Sequence, residues 1–148
     1  MSLTERINAG IKQAMKDKDE ARKRTLRAVK AQLLLIQTSG TNTEMDEDQE
    51  IKLIQKMVKE RQDSYEVYSQ QGREDLATTE KEEMDILKEF LPQQLSEAEI
   101  TERVQAIIEQ TGASSMRDMG KVMGIANKEL AGKADGKTIS TIVKQQLS

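Results

Sequence analysis

An all-α fold is predicted for this chain, an N-terminal helical hairpin bundle followed by a small three-helix tail domain. Three observations carry that prediction. The 148 residues include one Pro and 2% aromatic residues but 33% charged ones, a composition that favours helix along most of the chain. Apolar residues recur every three or four positions over most of its length. Ser2-x-x-Glu5 and Ser96-x-x-Glu99 each precede such a run, and this is the pattern of a box in which cap and third residue satisfy each other's backbone N–H.

The first helix opens at Ser2 and carries Leu3, Ile7, Ile11 and Ala14 or Met15 before the polar run Lys16–Glu20 ends it. The second covers about Glu20 to Thr38, with Leu26, Val29, Leu33 and Ile36 as its stripe. Small polar residues from Thr38 to Thr43 make a loop, with Gly40 able to take positive φ. The third helix runs from about Asp46 to Gln71. Its seam is Ile51, Ile54, Val58, Tyr65 and Tyr68, interrupted by Arg61, and Gly72 suits the left-handed position after its end. The fourth, Arg73 to Phe90, presents Leu76, Met84 and Leu87, with Leu91 just beyond its end. Pro92 then blocks further helix. That break divides the chain into domains of residues 1–92 and 93–148. A fifth helix bears Ile100, Val104 and Ile107 and stops near Gly112. A sixth starts near Ser115 and bears Met119, Val122 or Met123, Ala126 and Leu130. A seventh starts between Asp135 and Thr138 and bears Ile139, Ile142 or Val143, and Leu147.

Composition excludes several chemistries. Without Cys there is no disulfide, thiolate zinc site or thiol nucleophile. Without His the commonest general base and metal ligand are missing. No catalytic residue, metal or cofactor is assigned. No apolar run approaches a membrane span of roughly 20 residues, and the N-terminal residues lack the pattern of a signal peptide. A cytoplasmic protein with no membrane partner is expected.

Charge is unevenly spread. Residues 1–37 hold nine Lys/Arg and four acids, residues 38–92 seven and fifteen, and residues 93–148 seven of each. From Lys121 onward there are five Lys and two acids. The middle repels nucleic acid, whereas the two ends attract it. Arg22, Lys23, Arg24, Arg27 and Lys30 cover a broad side of the second helix and are expected to pair in part with the acidic third and fourth, the alternative being a binding surface for an anionic partner. The carboxylates at Glu80, Glu82, Glu83 and Asp85 are read as a solvated helix face.

The stretch Asp118–Lys137 is the most informative. Gly120 and Gly124 notch one face of a helix at a cost of roughly 1 kcal/mol each. They point to close packing of a neighbouring helix or to direct contact with a ligand. Gly132 to Thr138 is one residue short of a nucleotide phosphate loop and has no strand before it. It reads instead as a helix–turn–helix connection with Gly132 as a C-terminal cap and Asp135 as an N-cap or turn residue. The free N–H groups of the last helix and the nearby Lys133 and Lys137 suit a phosphate oxygen. A Met-rich sixth helix (Met116, Met119, Met123) and the long seam of the third are candidate surfaces for a partner helix.

The chain resembles the GatB/YqeY family along essentially its full length. The matching stretches are M-S-L-x-x-R-I (Met1–Ile7), I-K-Q-A-M-K-D-K-D (Ile11–Asp19), G-R-E-D-L (Gly72–Leu76), F-L-P-Q-Q-L-S (Phe90–Ser96), Gly112–Gly124 and G-K-A-D-G-K (Gly132–Lys137). The resemblance implies an all-α protein whose tail is similar to the tRNA-binding tail of the B subunit of glutamine-dependent aminoacyl-tRNA amidotransferase. It also implies, at family level, a carbon–nitrogen ligase activity with glutamine as amide donor. Carried over by residue, it singles out Gly120, Lys121, Gly124, Lys128, Gly132, Lys133, Asp135 and Lys137 as RNA-binding candidates. The expected function is accessory RNA binding, to tRNA, without catalysis by the chain itself. A tRNA-charging or translation-related protein is the expected protein partner, and amidotransferase component and protein-interaction adaptor are the alternatives.

Overall fold

The computed structural model describes residues 1–39 and 45–148. The expected loop with Gly40 falls mainly on residues 40–44, outside the described residues. The described residues form seven α-helices and no strand: α1 (Leu3–Asp17), α2 (Glu20–Thr38), α3 (Glu47–Gln70), α4 (Glu74–Lys88), α5 (Glu97–Thr111), α6 (Met119–Glu129) and α7 (Gly136–Leu147), with a short 3₁₀ turn at Met116–Asp118. The fold is therefore all-α, as predicted. The chain divides into two compact units, Met1–Leu91 and Pro92–Ser148.

The helix ends follow from side chains that saturate otherwise unpaired N–H groups. Ser2 accepts the Glu5 N–H at 3.2 Å, and the box at Ser96–Glu99 has both arms in place. A further box joins Asp46 and Gln49. It uses Asp and Gln in the roles that Ser and Glu play elsewhere, so a search for Ser-x-x-Glu passes over it. Gly72 takes φ 72°, which lets the Arg73 N–H turn back to the Tyr68 carbonyl at 2.8 Å and close α3.

In the first unit α1 packs on α2 and α3 on α4, while α2 also meets α4. Leu3, Ile7, Leu26, Val29, Ile54 and Leu87 form the centre of its core. α1 and α2 approach closely at Gly10, where an added Cβ would lie 2.7 Å from Leu26 Cδ1. The seam of α3 differs from the expected one. Ile54 and Met57 are its buried members, while Ile51, Val58, Tyr65 and Tyr68 are only half-buried.

Arg61 continues the buried face of α3 rather than breaking it, because a partner awaits it. Its Nε lies 3.5 Å from a carboxylate oxygen of Glu83, which is buried on α4. Glu83 thus corrects the reading of its stretch as a wholly solvated face. Arg24 from α2 stands 3.9 Å from Glu83 and 3.6 Å from Glu82. The expected pairing of α2 with α4 is realised there, and again where Arg22 meets Glu89 at 2.8 Å. Two guanidiniums from different helices make burial of the Glu83 carboxylate tolerable.

Glu80 lies beside the same cluster. Burial raises its pKa, repulsion from Glu83 raises it further, and Arg61 and Arg24 partly oppose both. A carboxyl raised on folding favours the native state most when protonated, and that contribution is lost as pH rises through its folded value. Glu80→Gln is therefore expected to raise the melting temperature at pH 7. The difference should vanish on acidification below the usual carboxylate range, as thermal denaturation across pH will show.

Candidate functional site

The second unit is a three-helix assembly with Val104 and Ile107 from α5, Val122 and Leu130 from α6, and Ile139 and Val143 from α7 at its centre. Those residues set which faces point outward. On α6 the buried Val122, Ala126 and Leu130 occupy one side. At 3.6 residues per turn, Lys121, Gly124 and Lys128 fall within about 60° of one another on the opposite side. All three are exposed, and so is Gly120.

The glycines do not admit a neighbouring helix, which corrects the packing expectation. A Cβ built on Gly120 or Gly124 meets nothing within 4 Å. Gly124, in the exposed interior of α6, thus lowers helix stability with no packing return and leaves bare backbone between Lys121 and Lys128, and Gly120 leaves it bare in the first turn just before Lys121. The methionines are divided as well. Met119 and Met123 pack against the core, and only Met116 is largely exposed. The Met-rich surface suggested for a partner helix is therefore mostly used internally.

The turn between α6 and α7 is pinned from a distance. Gly132 has φ 77° and is buried. Its carbonyl accepts Gln94 Nε2 at 2.7 Å, and the Lys133 carbonyl accepts the Leu95 N–H at 2.9 Å. α6 ends at Glu129 with Leu130 as its cap, so Gly132 sits in the turn two residues beyond the cap position expected of it. It shapes the turn and presents no surface to a ligand. Nothing in the local sequence around Gly132 reveals Gln94, whose part depends on a contact 38 positions away.

Asp135 caps α7 as predicted. One carboxylate oxygen accepts the Thr138 N–H at 2.8 Å and the other accepts the Thr138 hydroxyl at 2.8 Å. This carboxylate occupies the place where a phosphate oxygen was expected, so Asp135 organises the helix start and does not invite an anion there.

Lys121, Lys128, Lys133 and Lys137 are all exposed, and none forms an ion pair among the described residues. The structure brings Lys121, Gly124 and Lys128 onto one face of α6, with Gly120 at its margin. Lys133 lies on the pinned turn and Lys137 in the first turn of α7. Lys144, not singled out in the sequence, lies two turns beyond Lys137 on α7 and is exposed too. A shallow depression beside Lys137 is lined by Glu97, Thr138, Thr141, Ile142 and Gln145, so an acid of α5 sits near this one lysine. Charge within the unit is segregated. Residues 93–111 hold four Glu and one Arg, whereas residues 112–148 hold six cations and three acids. Of those three acids, Asp118 accepts the Ser114 N–H and Asp135 is the cap of α7.

The family model described as Yqey-like protein matches residues 4–147. Three similar proteins share the name "Altered inheritance of mitochondria protein 41, mitochondrial". The one from Pyrenophora tritici-repentis is 30% identical over 144 residues, covering 95% of this chain and 78% of that protein. The one from Lachancea thermotolerans is 31% identical over 104 residues, covering 69% and 56%. The one from Saccharomyces cerevisiae strain YJM789 is 25% identical over 137 residues, covering 91% and 71%. Their mitochondrial address belongs to those proteins. Among the described residues of this chain, no helix is long and apolar enough to cross a membrane.

Proposed function

This chain belongs to the YqeY-like family, and on that premise we propose that it is an accessory RNA-binding protein whose tail engages tRNA and which performs no catalysis of its own. One observation carries the reading: the outward face of α6, where bare backbone at Gly120 and Gly124 lies beside the unpaired Lys121 and Lys128. Folded RNA is recognised largely through shape, phosphates and sugar hydroxyls. A face without side chains lets a sugar–phosphate chain come close, and ammonium groups beside it supply the attraction.

Four phosphates engaged would give a log–log salt slope of roughly −3 to −4. Changing Lys121, Lys128, Lys133 and Lys137 together to Glu is expected to abolish most of that slope and to weaken tRNA binding at least about tenfold at ~0.1 M salt. Fluorescence anisotropy with labelled tRNA measures both. Unaltered affinity and slope would end the tail assignment. Gly120→Ala/Gly124→Ala separates binding from folding. It should raise the stability of the unit by about 1 kcal/mol at the helix-interior Gly124 and by less at Gly120 in the first turn of α6, since nothing obstructs the added methyl groups, and it should still weaken tRNA binding.

A carbon–nitrogen ligase reading predicts that the chain alone converts Glu-tRNA or Asp-tRNA when given ATP and glutamine. No turnover is expected. The adaptor reading draws on a different surface, since Leu34 and Leu35 on α2 are 51% and 61% exposed. Loss of a partner protein on Leu34→Lys/Leu35→Lys, with tRNA affinity unchanged, would favour it.

A further inference from the structure

The five cations clustered on α2 do not share one fate. Arg22 is bound to Asp19 and Glu89, Lys23 to Glu20, and Arg24 to Glu82 and Glu83. Arg27 and Lys30 are exposed and form no ion pair among the described residues. On α1, Lys12 and Lys16 are likewise exposed and unpaired, one turn apart on the side opposite the buried Leu3, Ile7 and Ala14. α1 packs along α2 and the two join at Lys18–Asp19. With ~1.5 Å of rise per residue, all four cations lie within about 17 Å of that turn along their helices. Of the four acids on these two helices and their junction, Asp19 and Glu20 are paired and Asp17 accepts a hydrogen bond from Gln13, while Glu5 is exposed near the start of α1, two turns before Lys12. The acids of α4 that reach α2 are taken up by Arg22 and Arg24.

We infer that Lys12, Lys16, Arg27 and Lys30 form a second phosphate-binding surface on the N-terminal unit, so that one RNA is held by both units. The inference rests on the tail reading above, because the tail shows the same chemistry: exposed cationic groups that form no ion pair among the described residues. Two modules in one chain acting on one polyanion bind more tightly than either alone, since engagement of the first raises the local concentration of the second.

The test uses the full chain and tRNA, with affinity measured from about 50 to 200 mM salt. K12E/K16E/R27E/K30E is expected to weaken binding at least tenfold at ~0.1 M salt and to make the log–log slope shallower by about three. The milder K12Q/K16Q/R27Q/K30Q should lose the same slope without crowding like charges. Thermal melting of both variants separates this from a folding failure. If both melt normally and bind tRNA with unchanged affinity and slope, while the tail reversal weakens binding, the second surface is refuted and the tail reading stands. In that case the α1–α2 cations are free for an acidic protein partner. If only the α1–α2 variants lose binding, the tail reading fails and the joint hold on one RNA by both units falls with it.

Discussion

Leu130→Ala is expected to lower the melting transition of the C-terminal unit by about 10–25 °C while leaving that of the N-terminal unit in place. Leu130 is fully buried where α6 ends, in a core drawn from all three helices of the unit. Truncating such a leucine costs about 2–5 kcal/mol, through lost burial and the cavity left behind. A unit spanning only Pro92–Ser148 has roughly 3–9 kcal/mol of stability to lose, at ~0.05–0.15 kcal/mol per residue. A single side chain therefore takes a large share of it. Hydrogen exchange read peptide by peptide will locate the loss. Protection should collapse across residues 97–147 and persist across α1 to α4, whose core includes no residue of the tail. A uniform shift of both units would show that they melt as one body.

Removing the Glu83 carboxylate should have the second largest effect. Glu83→Ala removes the ion pair of Arg61, which is three-quarters or more buried and whose Nε already has no hydrogen-bond partner. Breaking one side of a buried pair costs about 3–5 kcal/mol. Residual exposure of both side chains and the spare charge of Arg24 bring the expectation here to about 2–4 kcal/mol. Glu83→Leu combined with Arg61→Met should recover most of the loss, because apolar groups of similar volume remove the desolvation penalty together with the attraction. Urea titration of the N-terminal unit compares the variants. A single mutant as stable as the parent would mean that the cluster contributes nothing to holding α3 against α4.

The two effects differ in how readable they were. Leu130 stands in a run whose spacing, Val122, Ala126 and Leu130, marks a buried face with no other information. Glu83 stands among Glu80, Glu82 and Asp85, and its neighbours in sequence mark it as solvated. Its burial depends on Arg61, 22 positions away, and on Arg24, 59 positions away. The same limit applies to Gly132, whose carbonyl is met by Gln94. It applies to Gly120 and Gly124 as well, where a packing motif and a bare exposed strip look identical in one dimension.

From sequence alone, the chain determined its helices and the caps at Ser2, Ser96 and Asp135. Each of these depends on apolar periodicity or on a side chain three or four residues from the N–H it satisfies, and such relations lie within a single stretch of sequence. Tertiary structure decided which charges neutralise one another, which glycines lie open and which lysines remain available to a ligand. Pairing across helices is a matter of distances between residues far apart in the chain, and Coulomb attraction and steric contact depend on those distances and not on sequence order.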